Sequence, residues 1–147
     1  MQIKIIEDDR AEDIQITIRC PKQDEKLKAL LALLQIQDHK CIGKYRGEDH
    51  LIPLEDIYYI DTLDKQVYLY TETITYESDL RLYEIEERFI DLDFLRIGKS
   101  TIINFQKIKS LRPDLGGRIQ VTMKNGIKLF VSRQYAPSLK KRLGVLK

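Results

Sequence analysis

The chain has few of the residues from which catalytic and metal centres are usually built. Of its 147 residues, two are cysteine and two are histidine. Cys20 and Cys41 lack the spacing and the histidine neighbours of a zinc site, and a reducing compartment argues against pairing them. Both read as ordinary, partly buried cysteines. His39 and His50 fall in and beside one hairpin, with no nucleophile placed near either, and read as surface residues. No apolar run approaches the roughly 20 residues that cross a bilayer; the longest, Ala29–Leu34, is far too short. Met1–Arg10 carries acids where a signal peptide has a basic region and an apolar core. A cytoplasmic location is therefore expected. The carboxylates of Glu55–Asp93 are dispersed, and Glu84, Glu86 and Glu87 read as one solvated helix face. No metal, cofactor or enzymatic activity is expected.

The last scarcity is of acid, and it is local. Residues Phe94–Lys147 hold 13 Lys/Arg and one acid, Asp114, a formal net of +12. Residues Met1–Asp93 hold 12 Lys/Arg against 22 Asp/Glu, a net of −10, so the overall charge of +2 conceals two opposed regions. A positive field confined to one region attracts a polyanion, and nucleic acid is the first to consider. A solvated basic face accounts for the same count.

Hydrophobic residues make up 43% and charged residues 33%, the balance of a folded chain of one domain with room for a small appendage. Ile14–Arg19 alternates apolar and polar and predicts a half-buried strand, with Ile3–Ile6 as its partner across Glu7–Asp13. Pro21 opens a helix ending near Gln37, with Leu27, Leu30, Leu31 and Leu34 in one stripe. Short β segments follow: Lys40–Tyr45 and His50–Pro53 around a Gly47 turn, then Ile57–Thr62, Val67–Thr71 and Ile74–Glu77. A helix is predicted over Leu80–Phe89 with Ser78 or Asp79 as its N-cap. Further strands are predicted at Phe94–Ile97, Thr101–Phe105, Ile108–Leu111, Ile119–Met123 and Ile127–Val131. Asn125-Gly126 suggests a type I′ hairpin turn, and Ser132 is placed to cap a last helix through Leu143. The pattern predicts a mainly β domain.

Ile97-Gly98-Lys99-Ser100-Thr101 invites a phosphate-loop reading, but the required earlier glycine is Asp93, and a strand rather than a helix follows. What remains is a set of donors at strand ends. Lys99 with Ser100, Ser132 with Arg133, and Lys65 with Gln66 occupy three inter-strand loops. Arg grips the guanine edge with two hydrogen bonds, Lys reaches the same atoms, and Gln pairs with adenine. Around them Arg96, Lys107, Lys109, Lys124, Lys128, Ser132, Lys140 and Lys141 suit phosphates.

Residues from about Lys40 to Leu143 resemble the LytTR DNA-binding domain of bacterial transcription regulators. The likeness runs through Ile52-Pro53-Leu54-Glu55-Asp56-Ile57-Tyr58-Tyr59-Ile60-Asp61 and the Leu80–Phe89 segment. Its most specific part is Phe94-Leu95-Arg96-Ile97-Gly98-Lys99-Ser100-Thr101-Ile102-Ile103-Asn104, with Ile108 beyond it. It closes on Val131-Ser132-Arg133 and Tyr135. The resemblance implies a ten-stranded, mainly antiparallel fold whose loops enter successive major grooves and bend the duplex. It implies base contacts from Lys65 or Gln66, from Lys99 with Ser100, and from Arg133, with Asn104 structural. Many members carry His at the position of Gly98. Many also carry a phosphoacceptor domain before this one. Here residues 1–38 are too few for it and Asp8-Asp9 is no substitute, so 1–38 is expected to be a strand-and-helix extension and 39–147 the DNA-binding domain. That arrangement resembles stand-alone members encoded beside a small membrane protein. The expectation is a homodimeric regulator on paired half-sites. The alternative is a protein-interaction module that pairs with the membrane protein or another regulator and binds DNA weakly.

Overall fold

The computed structural model describes residues 1–89 and 92–144. Among the described residues ten strands form two antiparallel sheets, and three α-helices accompany them. The first helix, α1 (Glu25–Asp38), leads into β1 (Lys40–Tyr45), which pairs with β2 (Glu48–Pro53). β3 (Tyr59–Leu63), β4 (Gln66–Tyr70) and β5 (Thr75–Ser78) follow, then α2 (Leu82–Arg88), β6 (Phe94–Arg96) and β7 (Thr101–Asn104). These seven strands make one sheet in the order β2-β1-β5-β4-β3-β7-β6. β8 (Ile108–Pro113), β9 (Ile119–Met123) and β10 (Lys128–Val131) make the second, and α3 (Ala136–Arg142) closes the described chain.

The large sheet is apolar on both faces, and neighbours on one strand divide between two cores. Ile102 joins Ile57, Ile60, Leu69, Ile85 and Phe89 beneath α2. The next residue, Ile103, joins Val121, Met123, Val131, Ala136 and Leu139 between the two sheets and α3. The layers are therefore α2, large sheet, small sheet with α3. Cys41 is fully buried in the first core, where desolvation pushes its thiol up to about 12, while Cys20 is exposed.

Turn chemistry fixes the hairpins. The Arg46-Gly47 and Asp64-Lys65 turns each have positive φ at both residues, 51° and 77° in the first and 51° and 68° in the second. That is the two-residue type whose twist matches the flanking strands. The Asn125-Gly126 turn does not have this form. Only Gly126 is left-handed, at 89°, and its N–H donates to the Met123 carbonyl at 2.9 Å while Met123 N–H donates to Ile127 O at 2.8 Å. One more residue in the loop turns the expected type I′ into a three-residue connection.

Other expectations are also corrected. Ile3–Ile6 and Ile14–Arg19 form no strand, and Ile3, Ile5, Ile6, Ile14 and Ile16 stay exposed. A strand needs a ladder partner, and none of the described residues supplies one to this segment. The helix after Pro21 begins only at Glu25. α2 begins at Leu82, where Glu84 accepts the Arg81 N–H at 3.0 Å; Ser78 Oγ instead accepts the Leu80 N–H at 3.1 Å. The N-cap of α3 is Tyr135, not Ser132. His50 is packed among Tyr45 and Tyr76, with ring centroids 6.3 and 5.6 Å away, rather than lying free on the surface.

Candidate nucleic-acid interface

The three loops that carry the sequence candidates meet at one end of the sheets. Thr62, at the end of β3, donates its N–H to Ser100 O at 2.9 Å, so the β3–β4 turn lies beside the β6–β7 loop. Ser132 N–H donates to Ile97 O at 3.0 Å, which joins the segment after β10 to the other side of the same loop. Antiparallel register explains why they gather: β3 ends where β7 begins, with Asp61 opposite Thr101. Asp61 ties the corner, since its carboxylate accepts from Thr101 Oγ1 at 3.0 Å and from Thr62 N–H at 2.9 Å.

Lys65, Lys99, Ser100 and Arg133 are exposed at this end. Lys65 occupies a left-handed backbone at φ 68°, a conformation that costs an L-residue about 1–2 kcal/mol and that glycine would adopt freely. Gln66 behaves differently. It lies in β4, and its amide nitrogen donates to Ser78 O at 2.9 Å and to Val67 O at 3.0 Å, back along the sheet and away from the turn. Arg133 follows Ser132 in the turn into α3, where Tyr135 and Ala136 N–H groups both donate to Ser132 O at 3.0 Å.

Arg96, expected among phosphate contacts, braces the β6–β7 loop from within. Its Nε donates to Gly98 O at 2.7 Å, another guanidinium nitrogen reaches Lys99 O, and a third lies 3.4 Å from Glu86 Oε1. The side chain is only 18% exposed, so its donors are already directed at protein carbonyls and one carboxylate. Gly98 thus needs no side chain of its own to be held.

The expected phosphate set does not lie in one place. Ser132 is at the loop end. Lys107 and Lys124 are at the other: Lys124 N–H donates to Lys107 O at 2.8 Å, and Lys107 Nζ lies 5.2 Å from the centre of the Tyr58 ring, before β3 begins. At about 3.3 Å per residue, the length of β3 puts them roughly 17 Å from the Asp64-Lys65 turn. They line a cleft of about 720 Å³ with His39 and Lys40, where Glu55 and Asp93 supply opposing charge. Lys109 and Lys128 are exposed on β8 and β10, also toward that end. Lys140 and Lys141 lie in the last turn of α3, Lys140 half-buried.

Asn104 is buried, and its amide donates to Ile57 O at 2.9 Å while its Oδ1 accepts the Gln106 N–H at 3.0 Å. Sequence reasoning missed Asp61 and the bracing role of Arg96. An acid beside three basic loops reads as an intruder until the register places it under Thr101.

The description of the LytTr DNA-binding domain matches residues 47–144. An uncharacterized HTH-type transcriptional regulator of Staphylococcus aureus strain COL is 30% identical over 132 residues, covering 88% of this chain and 89% of the relative. A second of the same description, from strain MW2, is 27% identical over 147 residues and spans 99% of both. Among solved structures, the LytTr DNA-binding domain of a Bacillus cereus protein described as a methyl-accepting/DNA response regulator superposes with a TM-score of 0.67 at 28% identity. It covers 71% of this chain and 96% of that one. The relatives' description mentions a helix–turn–helix. Here five strands separate α1 from α2 and five more separate α2 from α3, so the described residues contain none.

Proposed function

The chain belongs to the LytTR DNA-binding domain family, and from that premise we propose that it is a sequence-specific transcriptional regulator. It presents loops from a β scaffold to successive major grooves. One observation carries this reading: two backbone hydrogen bonds, Thr62 to Ser100 and Ser132 to Ile97, hold three donor-bearing loops at one end of the sheets. Lys65, Lys99 with Ser100, and Arg133 address base edges, with Ser132, Lys140 and Lys141 on phosphates. Residues 39–147 form the binding domain and 1–38 an extension. In this reading it acts as a homodimer on paired half-sites.

The deciding experiment selects binding sequences from random duplex DNA and then footprints the enriched site. Protection in patches about 10 base pairs apart on one face of the duplex is expected. Failure to enrich any sequence above the input pool would end the proposal.

The Lys65 backbone gives a second test. Lys65→Gly is expected to raise stability by about 0.5–1 kcal/mol, because glycine relieves the left-handed strain at a small entropic cost. The same variant should bind the selected site more weakly. Thermal melts and fluorescence anisotropy on one preparation separate the two. A side chain kept for folding alone would instead lower stability when removed and leave the affinity of the folded protein unchanged.

The exposed isoleucines of residues 1–24 favour a second role beside the first. The alternation of Ile14–Arg19 suits a strand completed by another chain. A second copy would make the homodimer; the small membrane protein implied by the resemblance would make a tethered complex. Light scattering of the free protein, with and without residues 1–24, distinguishes self-association from a need for another partner.

A further inference from the structure

We propose that the β8–β9 loop, Asp114–Arg118, is a fourth DNA-facing element, in which Gly117 seats the stem of Arg133 and Arg118 holds a backbone phosphate beside it. The proposal rests on the reading of Arg133 given above and extends it to residues outside the three loops.

The loop is built to hold one shape. Asp114 N–H donates to Arg118 O at 2.9 Å, and the Arg118 guanidinium donates to the Asp114 carboxylate at 2.7 Å. Between them Gly116 and Gly117 both adopt positive φ, 71° and 81°. Asp114 is the one acid in the basic third, and its carboxyl is held below the usual carboxylate range by a hydrogen bond from the Leu115 backbone and by Arg118. It fixes one edge of the guanidinium. The other face of Arg118 lies 4.8 Å from the centre of the Phe130 ring, which is 50% exposed. Stacking and a single ion pair orient a guanidinium without using all five of its donors.

Its position comes from Gly117. A Cβ there would lie 2.8 Å from Arg133 Cγ and 3.0 Å from its Cδ, so the Arg133 stem rests directly on the glycine. The residue after the seat is Arg118. A donor prepared in this way, one residue from the seat of a base-reading arginine, meets the phosphates that flank the base that arginine reads. The same contact makes Gly117 a positioning residue for Arg133, because any side chain there pushes the stem aside.

The test uses the full chain, the site selected from random DNA, and a scrambled duplex. Arg118→Gln should bind both duplexes about eightfold more weakly at 0.1 M salt, with a salt slope shallower by about 0.9 and an unchanged sequence preference. Gly117→Asn carries the intruding Cβ, yet asparagine tolerates the left-handed backbone. It should lose discrimination at the base pair that Arg133→Ala relaxes, keep the wild-type salt slope, and add nothing in an Arg133→Ala background. A wild-type slope in Arg118→Gln, or additive losses for Gly117→Asn and Arg133→Ala, overturns the fourth element. If Arg133→Ala still relaxes specificity in that case, the three-loop reading stands. If Arg133→Ala, Lys99→Ala and Arg118→Gln all bind like the wild type, both readings fall together.

Discussion

Arg133→Ala is expected to weaken binding at the selected site by about 1–3 kcal/mol while leaving the scrambled duplex and the fold nearly unaffected. The size follows from what an arginine does at a guanine: two parallel donors meet O6 and N7, and no other base pair offers that pair of acceptors in the same place. The selectivity follows from where Arg133 sits. It is exposed, in a turn anchored by its neighbour Ser132 rather than by itself, and its stem touches Gly117. Truncation therefore leaves no buried partner unsatisfied, and the melting temperature should stay within about 2 °C, as for surface changes worth under about 0.5 kcal/mol. Gel shifts at one fixed salt concentration measure both duplexes. Arg133→Lys should recover only part of the loss, since an ammonium is a point donor without the planar fork. Lys140→Ala is the contrast. A phosphate contact carries no base information, so both duplexes should weaken alike and the salt slope should flatten by about 0.9. Equal losses on both duplexes for Arg133→Ala would place this side chain among the phosphate contacts.

The strands were legible where the chain itself supplies both the alternation and the partner. Ile119–Met123 and the hairpin around Gly47 are set by local pattern and turn residues, and the sheets follow them. Ile14–Arg19 has an equally clear alternation and forms no strand, because alternation reports only a face to be buried. The basic third misled in a similar way. Charge counting treats Arg96, Lys107, Lys124 and Arg133 alike, yet one braces a loop, two lie at the far end, and one stands at the meeting of loops. These differences are set by register and by which carbonyls a guanidinium can reach, neither of which composition records. The sequence also concealed Gly117, whose role exists only because Arg133, sixteen positions on, crosses it.

Asn104→Ala is expected to cost about 3 kcal/mol of stability, a fall of about 10 °C in melting temperature, with little effect on the DNA affinity of the folded fraction. Asn104 closes the end of the large sheet away from the loops, where β7 gives way to the 3-10 turn Phe105–Lys107. Its amide serves Ile57 O at 2.9 Å and approaches Leu54 O at 3.5 Å, while its oxygen takes the Gln106 N–H at 3.0 Å. Alanine strands the Ile57 carbonyl inside the protein, takes the acceptor from the Gln106 N–H in a partly buried turn, each loss costing about 1–3 kcal/mol, and opens a small cavity. Asn104→Asp separates the two halves of this role. A carboxylate still accepts from Gln106 but faces two carbonyls with no proton to give, so the folded state raises its pKa above the ordinary value of about 3.9. A group whose folded pKa is raised binds its proton more tightly in the folded state. The aspartate variant should therefore gain on the alanine variant as pH falls toward 4, and lose ground as pH rises through the raised value. Urea midpoints of the two variants, compared at each pH, cancel the titration of every other group. A constant difference between them would mean that the donor half of Asn104, toward Ile57 and Leu54, contributes nothing to the fold.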